Sequence, residues 1–201
     1  MTALRRLEPS AAQRSMWFGQ RLAGADAAYN VGEYTEIHGP VDPDLLRTAV
    51  RRVVDATETL RSRFAAADDG VRLLVDAAPA WSMPMVDVSD IEAARKWMAD
   101  DFATPFDLER GPLFRYALLR LAEDHWIWYQ AYHHIAVDGF SCSLIARRVA
   151  DAYSALAERV PHSPGLPALH GQGGHVPPPA PIAPLTAADE AYRADGRHER
   201  D

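Results

Sequence analysis

"HWIWYQAYHHIAVDGFSCSLIARRVADAYSALAE", residues 125–158, changes its periodicity once, and that change decides the fold. Its first ten residues are aromatic and β-prone, without proline or glycine, and predict a strand. From Gly139 onward, Leu144, Ile145, Val149, Ala152, Tyr153 and Leu156 recur at helical spacing, so a helix follows. His133, His134, Asp138 and Gly139 therefore stand where a strand gives way to a helix, a common position for ligands.

The residue types at this junction suit proton handling. Imidazole titrates near about pH 6.5, so a histidine at a strand end can take a proton from an attacking amine or hydroxyl. An aspartate four residues on can fix its neighbour's geometry or pair with an arginine, and a glycine lets a backbone amide and a substrate come close. A purely structural reading stands beside this one: packed, hydrogen-bonded histidines, Asp138 capping the helix and Gly139 easing the turn. Adjacent strand residues point to opposite faces, which argues against joint chelation by His133, His134 and Asp138, and no metal is expected there. Cys142, on an apolar-flanked helix, reads as a small buried thiol rather than a nucleophile.

The 201 residues, 48% of them hydrophobic, suffice for one packed domain. A formal charge of −7 leaves no basic surplus for phosphates or anionic lipid, so neither nucleic acid nor membrane is an expected partner. No apolar run approaches the roughly 20 residues of a membrane span, and "MTALRRLEPSAAQ" lacks the apolar centre of a secretory signal, which predicts a cytoplasmic protein. The single cysteine excludes an internal disulfide and a cysteine-rich zinc site.

Elsewhere, Ser10 is placed to cap a helix through "AAQRSMWFGQRLAG" that ends at Gly24, and "VGEYTEIHG" reads as a strand stopped by Gly39-Pro40. Asp42 followed by Pro43 opens a helix whose apolar stripe is Leu45, Leu46, Ala49, Val50, Val53 and Val54. "TLRSRF" and "VRLLVD" around "ADDG" predict a hairpin, and "DIEAARKWMADDFA" a helix ended before Pro105. "GPLFRYALLRL" and "HWIWYQAYHH" predict antiparallel neighbours, giving an α/β sandwich as the fold class. Residues 161–185, dense in proline and glycine, read as a linker after a lobe spanning 1–160, and 186–201 as the start of a further helix with Thr186 as its cap.

"HHIAVDGFS", 133–141, resembles the HHxxxDG signature of condensation domains from nonribosomal peptide synthetases, members of the chloramphenicol-acetyltransferase-like acyltransferases. Three further stretches follow that family's order. "LEPSAAQRSMWF" is similar to its opening motif, "DATETLRSRF" to its arginine-bearing motif around Glu58, Leu60 and Arg61, and "PFDLERGPLFRYALLRL" to the approach to the histidines. In "DATETLRSRF", Ala56 and Thr57 replace the family's usual Arg-His. Phe140 and the aromatic run before the histidines look most like siderophore-type synthetases such as enterobactin synthase.

The resemblance implies that His134 helps an acceptor amine attack an acyl thioester, leaving an amide on a downstream carrier protein. It implies shaping roles for His133 and for Asp138, the latter through an arginine ion pair, and room or a backbone amide at Gly139. Phe140 and Ser141 are implied to line the substrate, and Glu58 and Arg61 to serve structure. The resemblance further implies that no cofactor is bound directly and that substrates ride on the phosphopantetheine of upstream and downstream carrier proteins, beside an adenylation domain of a parent synthetase. Family members have two lobes around a tunnel. This chain resembles the N-terminal lobe, and its tail resembles the helix leading into the C-terminal lobe, so the expectation is a lobe inactive alone and prone to self-association. A non-catalytic carrier-binding module and a freestanding acyltransferase remain open.

Overall fold

The computed structural model describes residues 4–24, 27–68, 70–158 and 172–175. In chain order these form β1 (Arg5–Leu7), α1 (Ala11–Ala23), β2 (Asn30–His38), α2 (Pro43–Ala56), a 3₁₀ turn (Glu58–Arg61), β3 (Ser62–Ala67) and β4 (Gly70–Val75). There follow β5 (Met85–Asp87), α3 (Ile91–Phe102), β6 (Phe114–Ala122), β7 (His125–His133), α4 (Gly139–Ala157) and β8 (Gln172–His175).

The helices start where their caps dictate. Ser10 accepts from the Gln13 amide at 3.2 Å while the Gln13 side chain accepts from the Ser10 amide at 2.9 Å, a reciprocal box that satisfies two donors at the start of α1. Asp42 accepts from the amides of Asp44 and Leu45, both at 3.0 Å, with Pro43 as the first residue of α2. The predicted stripe of α2 is buried at Leu46, Ala49, Val50, Val53 and Val54, with Leu45 partly covered. α2 and α4 pack on one another, and the Asp42 amide donates to the Tyr153 hydroxyl at 3.1 Å.

The two aromatic runs pair as predicted, from Phe114 opposite Tyr132 to Ala122 opposite His125. β7 lies inside a five-stranded sheet ordered β5-β6-β7-β2-β8, and every residue of β7 after His125 is buried. Successive side chains take opposite faces. Tyr129 faces α3, donating to Asp101 Oδ2 at 2.9 Å and meeting the Trp97 ring edge-on at 5.7 Å. Tyr132 lies on the other face, its hydroxyl bonded to Gln130 Oε1 at 2.9 Å and to the Tyr116 hydroxyl at 3.2 Å. The last carbonyls of α3 are satisfied from the sheet: Asn30 donates to the Phe102 carbonyl at 2.6 Å and Arg115 to that of Asp101 at 2.8 Å. Gly32 permits this docking, because a Cβ there would stand 3.1 Å from the Phe102 ring.

A second sheet, ordered β1-β4-β3, contains the predicted hairpin. Only its second half agrees in detail: Glu58–Arg61 form the 3₁₀ turn, and the strand begins at Ser62. Leu144, expected on the buried stripe of α4, is 39% exposed. Strands β1 and β5 span three residues each, too few to show a period. β8 lies inside the stretch read as a linker and pairs antiparallel with β2, while the helix expected from Thr186 lies outside the described residues. No described helix is long and apolar enough to cross a membrane.

Candidate active site

His133 ends β7 fully buried, at 0% exposure. Its Nδ1 accepts from the Ile135 amide at 3.0 Å, so the ring proton sits on Nε2, which donates to Gln20 Oε1 at 2.5 Å. Gln20 is itself buried on α1, and its amide nitrogen donates to the Phe106 carbonyl at 3.4 Å. His133 thus fastens the end of β7 to α1 and to the segment after α3. The motif groups it with the catalytic residues; in the structure both of its ring nitrogens are hydrogen-bonded and the side chain is buried.

One residue later the chain has left the strand. A turn forms as the Ala136 amide donates to the His133 carbonyl at 2.9 Å, while the His134 amide donates to the Tyr29 carbonyl at 2.8 Å. Gln13, already part of the α1 cap, holds the Ile135 carbonyl at 3.1 Å. The His134 ring is exposed, and its Nδ1 lies 2.8 Å from the Val137 carbonyl. A carbonyl only accepts, so Nδ1 carries the proton and Nε2 keeps the lone pair. Among the described residues Nε2 has no hydrogen-bond partner.

Asp138 is the N-cap of α4, its Oδ1 accepting from the Ser141 amide at 2.8 Å. The Ser141 hydroxyl and then its amide hold the carboxyl below the usual carboxylate range. Among the described residues no arginine pairs with Asp138; its printed contacts are those that cap α4. Gly139, the first helical residue, faces open space, since a Cβ there would meet nothing within 4 Å. Phe140 is 80% exposed beside it, with Leu144 one turn on, and Ser141 is half-buried. Cys142 is buried, and burial first, then Glu33 and Asp138, push its thiol up to about 12, so it is no nucleophile at neutral pH.

Glu58 and Arg61 serve elsewhere. Arg61 Nη1 donates to the Asp76 carbonyl at 2.9 Å, and Glu58 pairs with Arg5, so both tie the 3₁₀ turn to the smaller sheet. Gln20 and Tyr29 were not legible as site residues, because their contacts with the histidine turn are made across the fold. Gln13 carried a signal, the Ser-x-x-Gln capping spacing, but that spacing says nothing of the Ile135 carbonyl.

The profile of the condensation domain family matches residues 5–167. The chain belongs to the condensation domain family. It is 44% identical over 151 residues, 73% of its length, to the isonitrile lipopeptide synthase of Streptomyces coeruleorubidus, and covers 10% of that protein. Enterobactin synthase component F of Escherichia coli O157:H7 is 31% identical over 215 residues, 92% of this chain and 17% of the relative. Among solved structures, the starter condensation domain of the rhizomide synthetase superposes with a TM-score of 0.73 at 43% identity, over 79% of this chain and 40% of that one. The α/β fold expected from the motifs is therefore that of a condensation domain, and this condensation chain spans well under half of the relatives it matches.

Proposed function

We propose that this condensation chain supplies the histidine side of an amide-forming site in nonribosomal peptide synthesis. The donor is an acyl thioester on the phosphopantetheine of an upstream carrier protein, and the acceptor is an aminoacyl amine on a downstream carrier, charged by an adenylation domain. The amine nitrogen attacks the thioester carbonyl carbon, and His134 Nε2 positions that amine and takes its proton. The tetrahedral intermediate then collapses, the C–S bond breaks, and the thiolate leaves to be protonated while the amide stays on the downstream arm. The observation that carries this reading is the tautomer of His134, an exposed imidazole whose Nδ1 proton is committed to Val137 and whose Nε2 has no hydrogen-bond partner among the described residues.

His133 and Asp138 position that ring, one by anchoring the strand and the other by starting α4 at a fixed point. Gly139 leaves space for the arms, and Phe140 and Ser141 line the approach. The solved condensation chains contain a second portion that this chain does not match, and we assign it the opposing wall of the tunnel. Proximity and orientation are worth roughly 7–11 kcal/mol of a barrier, so the chain alone is expected to give no product above background. A cytoplasmic location fits the single, reduced cysteine.

Mass spectrometry of amide product from loaded donor and acceptor carriers tests this, with the chain alone and with the remaining condensation portion added in trans. Product only with the added portion supports the proposal. Robust product from the chain alone favours a freestanding acyltransferase, and carrier binding without product in either arm favours a silent binding module.

A further inference from the structure

Far from the histidine motif, three metal-ligating side chains come together on the sheet. Glu36 and His38 are two residues apart on β2 and so share a face, and His125, the first residue of β7, stands directly opposite His38 in the antiparallel register. One ligand atom from each residue lies within 4.8 Å of the other two. Glu36 Oε1 is 2.6 Å from His125 Nε2 and 3.5 Å from His38 Nε2, and the two imidazoles stack with centroids 4.6 Å apart.

We propose that Glu36, His38 and His125 form a binding site for a divalent transition-metal ion, with zinc the ion best matched to the donors. Two imidazoles and one carboxylate are a recognised zinc ligand set, in which metal–ligand bonds of about 2.0–2.2 Å put neighbouring ligand atoms roughly 3.3 Å apart in a tetrahedron. The two separations from Glu36 Oε1 bracket that spacing, and the two imidazole ligand atoms lie within 4.8 Å of each other. Glu36 and His125 are partly sheltered and His38 is exposed, which leaves the remaining coordination position open to water.

The proton balance is simple. In the present geometry His125 Nε2 donates to Glu36 Oε1; ligation moves that proton to Nδ1 and gives the Nε2 lone pair to the metal. His125 and His133 are eight residues apart on one strand, about 26 Å, so the ion is remote from His134 and pins the other end of the β2–β7 pair. The Gly39 amide already ties the chain there to the Asp124 carbonyl at 2.6 Å.

Calorimetric titration of the intact chain with zinc ion alone tests the site, comparing the wild type with His38→Ala, His125→Ala and Glu36→Gln. His162→Ala/His170→Ala serves as a control at two of the six histidines outside the proposed site. Losing an outer-shell partner weakens metal affinity by about 10–100-fold, so losing a ligand is expected to cost at least about tenfold. The expected result is one stoichiometric site, weakened in all three variants and unchanged in the control, with a zinc-dependent rise in melting temperature that the three variants lack. Wild-type affinity in His38→Ala and His125→Ala, an equal loss in the control, or no stoichiometric binding overturns the proposal. His38 is exposed and Glu36→Gln preserves shape, so circular dichroism of those two variants separates lost binding from lost folding.

Discussion

His133 and His134 are neighbours with the same side chain, and one backbone turn divides their work. The ring on the strand is sealed between Gln20 and the Ile135 amide, whereas the ring on the turn keeps a free nitrogen at the surface. Removing the buried ring leaves a cavity and strips Gln20 of its partner. His133→Ala is therefore expected to lose about 2–4 kcal/mol of stability in urea denaturation, and Gln20→Ala about 1–3 kcal/mol. A double-mutant cycle should show coupling between them; additive losses would mean that the hydrogen bond contributes nothing. The doublet was legible in the sequence as a site, but this division was not, because it depends on where β7 stops and on a glutamine more than a hundred residues upstream.

At the scale of elements, α4 begins where Asp138 tells it to. Its carboxyl is held below the ordinary value in the folded chain, so its contribution is complete above the unfolded carboxylate pKa of about 3.9 and is lost as pH falls through the lowered folded value. Asp138→Ala should lower the melting temperature at neutral pH. Asp138→Asn, which keeps an acceptor oxygen, should recover most of the loss, and the gap between wild type and Asp138→Asn should close in acid. A gap that persists in acid would assign the effect to packing instead of charge. Elements with strong local signals were read correctly: Asp42 and Pro43 before a continuous apolar stripe for α2, and two long aromatic runs for β6 and β7. Those missed have weak ones. β5 exists because β6 offers it a parallel edge and β8 because β2 offers it an antiparallel one, and neither partner is visible from the segment itself.

The whole molecule places the exposed histidine, the open end of α4 and two exposed apolar side chains together. Phe140 and Leu144 lie one turn apart beside Gly139, an arrangement suited to being covered by a partner surface. Sedimentation velocity of the isolated chain is expected to show concentration-dependent self-association that Phe140→Ser reduces; a monomer at all concentrations would mean that this face needs no cover. The family's four motifs, spread from Leu7 to Ser141, were legible in order, and all four lie within the residues that match the condensation domain family. What the sequence withheld is which nitrogen of His134 carries the proton, since a tautomer follows from a hydrogen bond and the hydrogen bond from the turn. The most direct test is the rate of amide formation between loaded carriers by an intact condensation domain carrying His134→Ala. A proton-transferring and positioning group predicts a loss of about 10²–10⁴-fold with an unchanged melting temperature, whereas a rate equal to that of the wild type would contradict the assignment of His134 to the chemistry.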